Sequence, residues 1–359
     1  ADNGHLVFEG ASKVDGAIAN LNSITLGAGT VNFAENVTAT TIHLGDNASE
    51  IVLADNKDIT ANVTTATDGE GKLTFQGVSI VTGKIGDTHD SADKALEQIT
   101  LGDGEVTLAN GSQMRAKTIH LGHDNSQLTL NASTIYGDIT TANNTKGKLN
   151  FASGESVVNG KVAVAGTLLN EINVGVGAKA TVTFNGDVEG DINLKHDASV
   201  VKLGSGGTIN GAILPNNSNT GTLTFVGDST VKKNVGALGS LFQNITVNEN
   251  SSATLEDTAH TTSITLNEGA VLSIAQNVVG NIKGAGAGQG TLEIAGNVDL
   301  TGAIGPAGAT LKEVSFTGDH TLILDSDATA TAFTTATKDT GAIEIDGADV
   351  AITGDIGVD

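Results

Sequence analysis

The chain has 359 residues, 47 of them Gly, with two Pro, no Cys, no Trp and a formal charge of −23. The missing Cys excludes a disulfide framework and thiolate metal sites, and the anionic surface repels nucleic-acid phosphates and acidic lipid head groups. Hydrophobic residues make up 38% and aromatic ones 3%, so a core must be stacked from small and branched side chains rather than filled by rings.

The predicted elements are short phrases that recur. Gly16-Ala17-Ile18 opens the series, then Ile24-Thr25-Leu26-Gly27, Val31-Asn32-Phe33, Thr41-Ile42-His43-Leu44-Gly45 and Gly71-Lys72-Leu73-Thr74-Phe75. After Gly83-Lys84-Ile85, the charged stretch from Gly86 to Ala95 is expected to bulge outward, with one helical turn over Asp93-Lys94-Ala95-Leu96-Glu97-Gln98. The series then returns 75 to 77 positions on, as Ile99-Thr100-Leu101-Gly102, Val106-Thr107-Leu108, Thr118-Ile119-His120-Leu121-Gly122 and Gly147-Lys148-Leu149-Asn150-Phe151. Further along come Gly190-Asp191-Ile192, Gly211-Ala212-Ile213, a turn cluster at Leu214-Pro215-Asn216-Asn217-Ser218-Asn219, and Gly221-Thr222-Leu223-Thr224-Phe225. The phrase weakens to Gly290-Thr291-Leu292-Glu293-Ile294 and Gly341-Ala342-Ile343-Glu344-Ile345, and the last corner is Gly354-Asp355-Ile356.

An apolar-x-apolar triplet is a short strand with one face inward, and the Gly and Asn after it suit tight corners. Neighbouring Ile-x-Leu phrases recur at a spacing of roughly 18 to roughly 20 residues, the size of a single solenoid repeat. Three such strands and three corners make one coil, and coils of this kind bury their apolar faces only by stacking on one another. The expected fold is all-β, a right-handed parallel β-helix (β-solenoid) of 18–20 residues per coil and roughly nineteen coils. A single solenoid over residues 1–359 is expected, with degenerate units near 1–70, 71–146, 147–220, 221–289 and 290–359. An antiparallel sandwich would call for hairpin signals and longer strands, and disorder would not carry end-to-end apolar periodicity. No apolar run reaches the roughly eighteen residues of a membrane-spanning helix. No basic region followed by an apolar one opens the chain at Ala1-Asp2-Asn3, so no signal peptide is expected within it, and the chain is expected to be a mature fragment or a cut piece of a longer one.

Chemistry-bearing residues are sparse. His43 and His120 occupy equivalent places in the repeat and are expected four coils apart, on the order of 19 Å, too far to share a metal ion. His89, His123, His196, His260 and His320 show no ligand spacing, and Asp319, Asp325 and Asp327 resemble turn acids. No EF-hand, P-loop or nucleophile-elbow pattern is present. Polysaccharide-cleaving solenoids need clustered Asp with Arg or Lys and aromatic platforms, whereas this chain has one Arg, Arg115. An ice-binding face would need Thr-x-Thr on every coil, and here the Thr runs (38–41, 64–67, 329–337) are intermittent. No catalytic, cofactor-binding or metal-ligating residue is assigned; calcium at Asp/Asn corners is the one cofactor the composition leaves room for.

The Gly-Thr-Leu-Thr-Phe phrase, the Gly-x-Ile corners, the Ile-Thr-Leu-Gly strands and the absence of Cys resemble the passenger region of bacterial type V autotransporters. Within these, the chain is most similar to the rickettsial surface cell antigens, the outer-membrane protein A and B group. The resemblance implies export, secretion through a C-terminal β-barrel that this chain does not contain, and display on the cell surface, tethered to the outer membrane. It further implies adhesion to a host-cell surface protein and a role as a surface antigen, with no catalytic residues to carry over. Self-association as a surface-layer or filament subunit is the alternative, and a carbohydrate-active enzyme is the weaker one.

Overall fold

The computed structural model describes residues 4–86, 94–164, 166–338 and 340–358. It is all-β, with no helix among the described residues, and the ladders between its strands are parallel. Two compact units divide it, Ala1–Val182 and Thr183–Asp359.

In the first unit three columns of inward side chains run from coil to coil. One is Leu6, Ile24, Ile42, Val63, Ile85, Met114, Ile135 and Val158. The second passes through Val31, Ile51, Leu73, Ile99, Ile119, Ile139 and Val162. The third passes through Ile18, Val37, Ile59, Val81, Leu108, Leu130, Phe151 and Val174. Apart from Leu6, all these residues are buried. The second unit is built the same way, on Val201–Leu223–Ile245–Ile264–Ile282–Ile304–Ala328–Ile352 and two companion columns through Val231 and Val235.

The coils are longer and fewer than the sequence phrases suggest. Leu6 and Val158 stand seven coil steps apart, and so do Val201 and Ile352. Dividing either stretch by its steps gives a coil of about 22 residues, a usual size for stacked repeats. The chain forms about sixteen coils rather than nineteen. The closely spaced Ile-x-Leu phrases reflect the tighter coils, such as Leu6 to Ile24 to Ile42 and Ile264 to Ile282; elsewhere four-residue corners such as Asp46–Ser49 lengthen the circuit. The longest step of the first column runs from Ile85 to Met114; the bulge expected over 86–95 falls within it, and its positions 87–93 lie outside the described residues.

The helical turn expected over residues 93–98 is replaced by a strand, Leu96–Leu101. Leu96 points into the core and pairs with Ala116 of the next coil, so burial overrides the local helical composition.

The long repeat does not return to the same face. Ile24-Thr25-Leu26 stands in the first column and its counterpart Ile99-Thr100-Leu101 in the second. Likewise Leu73 and Phe75 stand in the second column, while Leu149 and Phe151 stand in the third. One long repeat takes three coils and one further face, so each recurrence is rotated by one face. The second unit does the same: Leu223, Leu292 and Ile343 occupy three successive faces.

Candidate binding surface

With the interior filled by stacked apolar columns, aliphatic with interspersed Phe such as Phe75 and Phe151, outward side chains and corners are left for function. The outward residue of each triplet stacks on its counterpart in the next coil. His43 and His120 both sit in such places, and each Nδ1 hydrogen-bonds a Thr hydroxyl of the following coil, Thr64 and Thr140, at 2.9 Å. They are not four coils apart on one face as expected. His43 lies in the first column's strands and His120 in the second's, because the repeat precesses.

The other singled-out residues are scattered. His123 Nδ1 lies 3.3 Å from Asp103, and His196 Nδ1 accepts from the Ala198 N–H. His260 Nδ1 is buried without a partner. His320 packs beside Gly318, and His89 lies outside the described residues. Arg115, the one Arg, stacks over Tyr136, the one Tyr, at 3.8 Å from the ring centroid. Thr ladders exist but are short: Thr74–Thr100 and Thr107–Thr129 span two coils, and Thr38–Thr60–Thr82 and Thr224–Thr246–Thr265 span three. Another, Thr208–Thr230–Thr254, lines a polar depression of about 200 Å³ with Asp228 and Ser252. Among the described residues no group of three or more His, Asp or Glu could hold a metal ion.

The Asp and Asn corners have a structural occupation that the sequence did not reveal. Asp138 Oδ1 accepts the Lys161 N–H, Asp191 the Ala212 N–H, and Asn281 the Ala303 N–H, each one coil on. Asn36 and Asp58 form a relay, Asn36 accepting from the Asp58 N–H and Asp58 from the Ile80 N–H. Asp327 accepts from Ala351, and Asp325 accepts from Gly302, one coil earlier. The readable signal was Gly-Asp/Asn-Ile followed one coil later by Gly-x-Ile/Val, a pairing of two stacked corners.

Two exposed carboxylates tie successive turns together. Asp124 accepts from Asn143 Nδ2 and faces Lys146 Nζ; Asp197 accepts from Asn217 and Asn216. The amide of Asn143, then Lys146, lowers the Asp124 pKa; the amides of Asn217, then Asn216, lower that of Asp197. Both follow a His in the same turn, His-Asp-x-Ser, whose Ser is buried. In the first of these, Ser126 Oγ donates to the Leu101 and Gly102 carbonyls of the coil below.

Large apolar residues are exposed at few described places. Ile345 is exposed, and Ile356 lines a depression of about 430 Å³ on the last coils together with Phe316, Phe333, Ile343 and Ile352. Leu238 stands alone at the tip of a tight turn and is 89% exposed.

No protein-family model matches the chain, and no solved structure matches it. Among curated proteins it is similar to "Outer membrane protein A" of Rickettsia rickettsii, at 37% identity over 254 residues. That alignment covers 66% of this chain and 11% of the relative, so the chain spans about a ninth of the protein it matches. In sequence the chain is a homologue of rickettsial outer membrane protein A, and in fold it is a β-solenoid, as expected of an autotransporter passenger.

Proposed function

We propose that the chain is a stretch of a non-catalytic cell-surface passenger that acts as an adhesin and surface antigen in attachment to host cells. The observation that carries this reading is the 37% identity to a protein named for the outer membrane, found on a solenoid of stacked apolar columns. A stacked solenoid offers long surfaces for a partner and no enclosed cleft is needed for that role. Display outside the cell, held by a β-barrel elsewhere in the full protein, belongs to the same proposal.

The test is direct. Fluorescently labelled chain is titrated onto cultured host cells, with an unrelated acidic β-protein as control; saturable binding that competes with bacterial attachment is the expected outcome. Absence of both binding and competition overturns the adhesin reading. The role needs no cofactor, so calcium or EDTA should leave both the binding and the melting temperature unchanged.

A further inference from the structure

The turn at residues 235–240 is built unlike the other corners of the second unit. Val235 is the inward residue of its coil's short third face. The chain then leaves the coil, and Ala237 and Ser240 close on each other with two backbone hydrogen bonds, Ala237 N–H to Ser240 O at 3.0 Å and Ser240 N–H to Ala237 O at 2.8 Å. Gly236 and Gly239 take φ of +71° and +82° on either side. The base is pinned to both neighbouring coils: the Gly236 N–H donates to Ile213 O, and the His260 N–H donates to Val235 O. Leu238 is thus held at the tip of a fixed turn with its side chain in water.

A turn whose backbone is already fixed spares the ordering cost that a flexible loop incurs on binding, leaving only the rotamer entropy of the side chain. Charge around the turn narrows the partner. Lys232 and Lys233 are the chain's one pair of adjacent cations, in a molecule of net charge −23. Both are exposed, and they precede Val235 as the turn follows it. Glu256 stacks over Lys232 in the next coil. Neither lysine forms an ion pair among the described residues.

We propose that residues 232–240 form a docking site for a protein partner that offers an apolar pocket for Leu238 and carboxylates at its rim for Lys232 and Lys233. This rests on the surface-binding reading above. Burying one Leu side chain is worth roughly 10- to 100-fold in affinity. The rim pairs add an ionic-strength-dependent share, felt mainly in the association rate.

The experiment is the host-cell titration with four forms of the full chain: unaltered, Leu238→Ser, Lys232→Glu/Lys233→Glu, and Val78→Ser as a control at another exposed apolar residue. Leu238→Ser should weaken binding at least 10-fold without moving the melting temperature, because the side chain supports no packing. The charge reversal should weaken binding in 50 mM salt and much less in 500 mM. Val78→Ser should bind like the unaltered chain. If the unaltered chain binds and Leu238→Ser binds equally well, the docking site is overturned while the adhesin reading stands. If the unaltered chain does not bind at all, the adhesin reading falls and takes this site with it.

Discussion

At the scale of single residues, two kinds of glycine do different work. Gly147 has φ +71°, and a Cβ there would lie 2.7 Å from Leu121 Cδ2 of the preceding coil. Its counterparts Gly71 and Gly221 repeat both features, over Leu44 and Leu194. Gly111 has a similar φ of +76°, but a Cβ would meet nothing within 4 Å. Gly111→Ala should therefore cost only the left-handed backbone penalty, about 1 kcal/mol. Gly147→Ala carries the same penalty plus overpacking of a buried Leu, about 2–4 kcal/mol in all. Urea unfolding of the two variants separates the contributions; equal losses would show that the Leu121 contact yields freely. Asp124 and Asp197 give a second residue-scale expectation. Their folded pKa values lie below the ordinary aspartate value, because amides and, for Asp124, Lys146 favour the ionised form. Their stabilisation is thus present above the unfolded-state value, near pH 4, and lost as pH falls below it through the folded values. The unfolding midpoint of Asp124→Asn/Asp197→Asn should fall less steeply between pH 4 and 2 than that of the unaltered chain.

At the scale of elements, the corner staples explain why Asp and Asn interchange. The acceptor in the Asp138–Lys161 bond needs a carbonyl-like oxygen, not a charge, and Asn281 performs the same task for Ala303. Asp138→Ala should cost about 0.5–1.5 kcal/mol and speed hydrogen exchange at the Lys161 amide, whereas Asp138→Asn should leave both nearly unchanged. A large loss with Asn would mean that the charge itself matters. Much of this level was legible beforehand. The triplets Ile24–Leu26, Ile42–Leu44 and Ile264–Leu266 declare their inward faces by alternation alone, and the structure buries each of those residues. What was not legible depends on the neighbouring coil. Leu96 joins a strand because Ala116 stands beside it, and Asp138 is a staple because Lys161 arrives one coil later. The Leu238 turn carried a local signal, Gly on both sides of Ala-Leu, but its exposure follows from how the coils around it close.

At the scale of the whole molecule, the mismatch between repeat length and coil length matters most. The long repeat is not a whole number of coils, so it cannot return to the same face. Sequence equivalence therefore does not imply spatial alignment. Thr41-Ile42-His43-Leu44-Gly45 and Thr118-Ile119-His120-Leu121-Gly122 are identical pentapeptides, yet they stand in different columns of one unit. A surface built this way shows the same side-chain pattern on successive faces instead of one continuous stripe, which also explains why the Thr ladders stop after two or three coils. The chain has no Cys, so introduced cysteines test the geometry without background. Thr25 and His43 are register partners on adjacent coils, as are Thr100 and His120, and their backbones lie about 4.8 Å apart. Thr25→Cys/His43→Cys and Thr100→Cys/His120→Cys should both cross-link rapidly within one chain. His43→Cys/His120→Cys should not, since those two places are separated by three coils and a change of face. Equally fast intramolecular cross-linking of the third pair would bring the two places within disulfide reach, about 7 Å between Cα atoms, and so overturn the register.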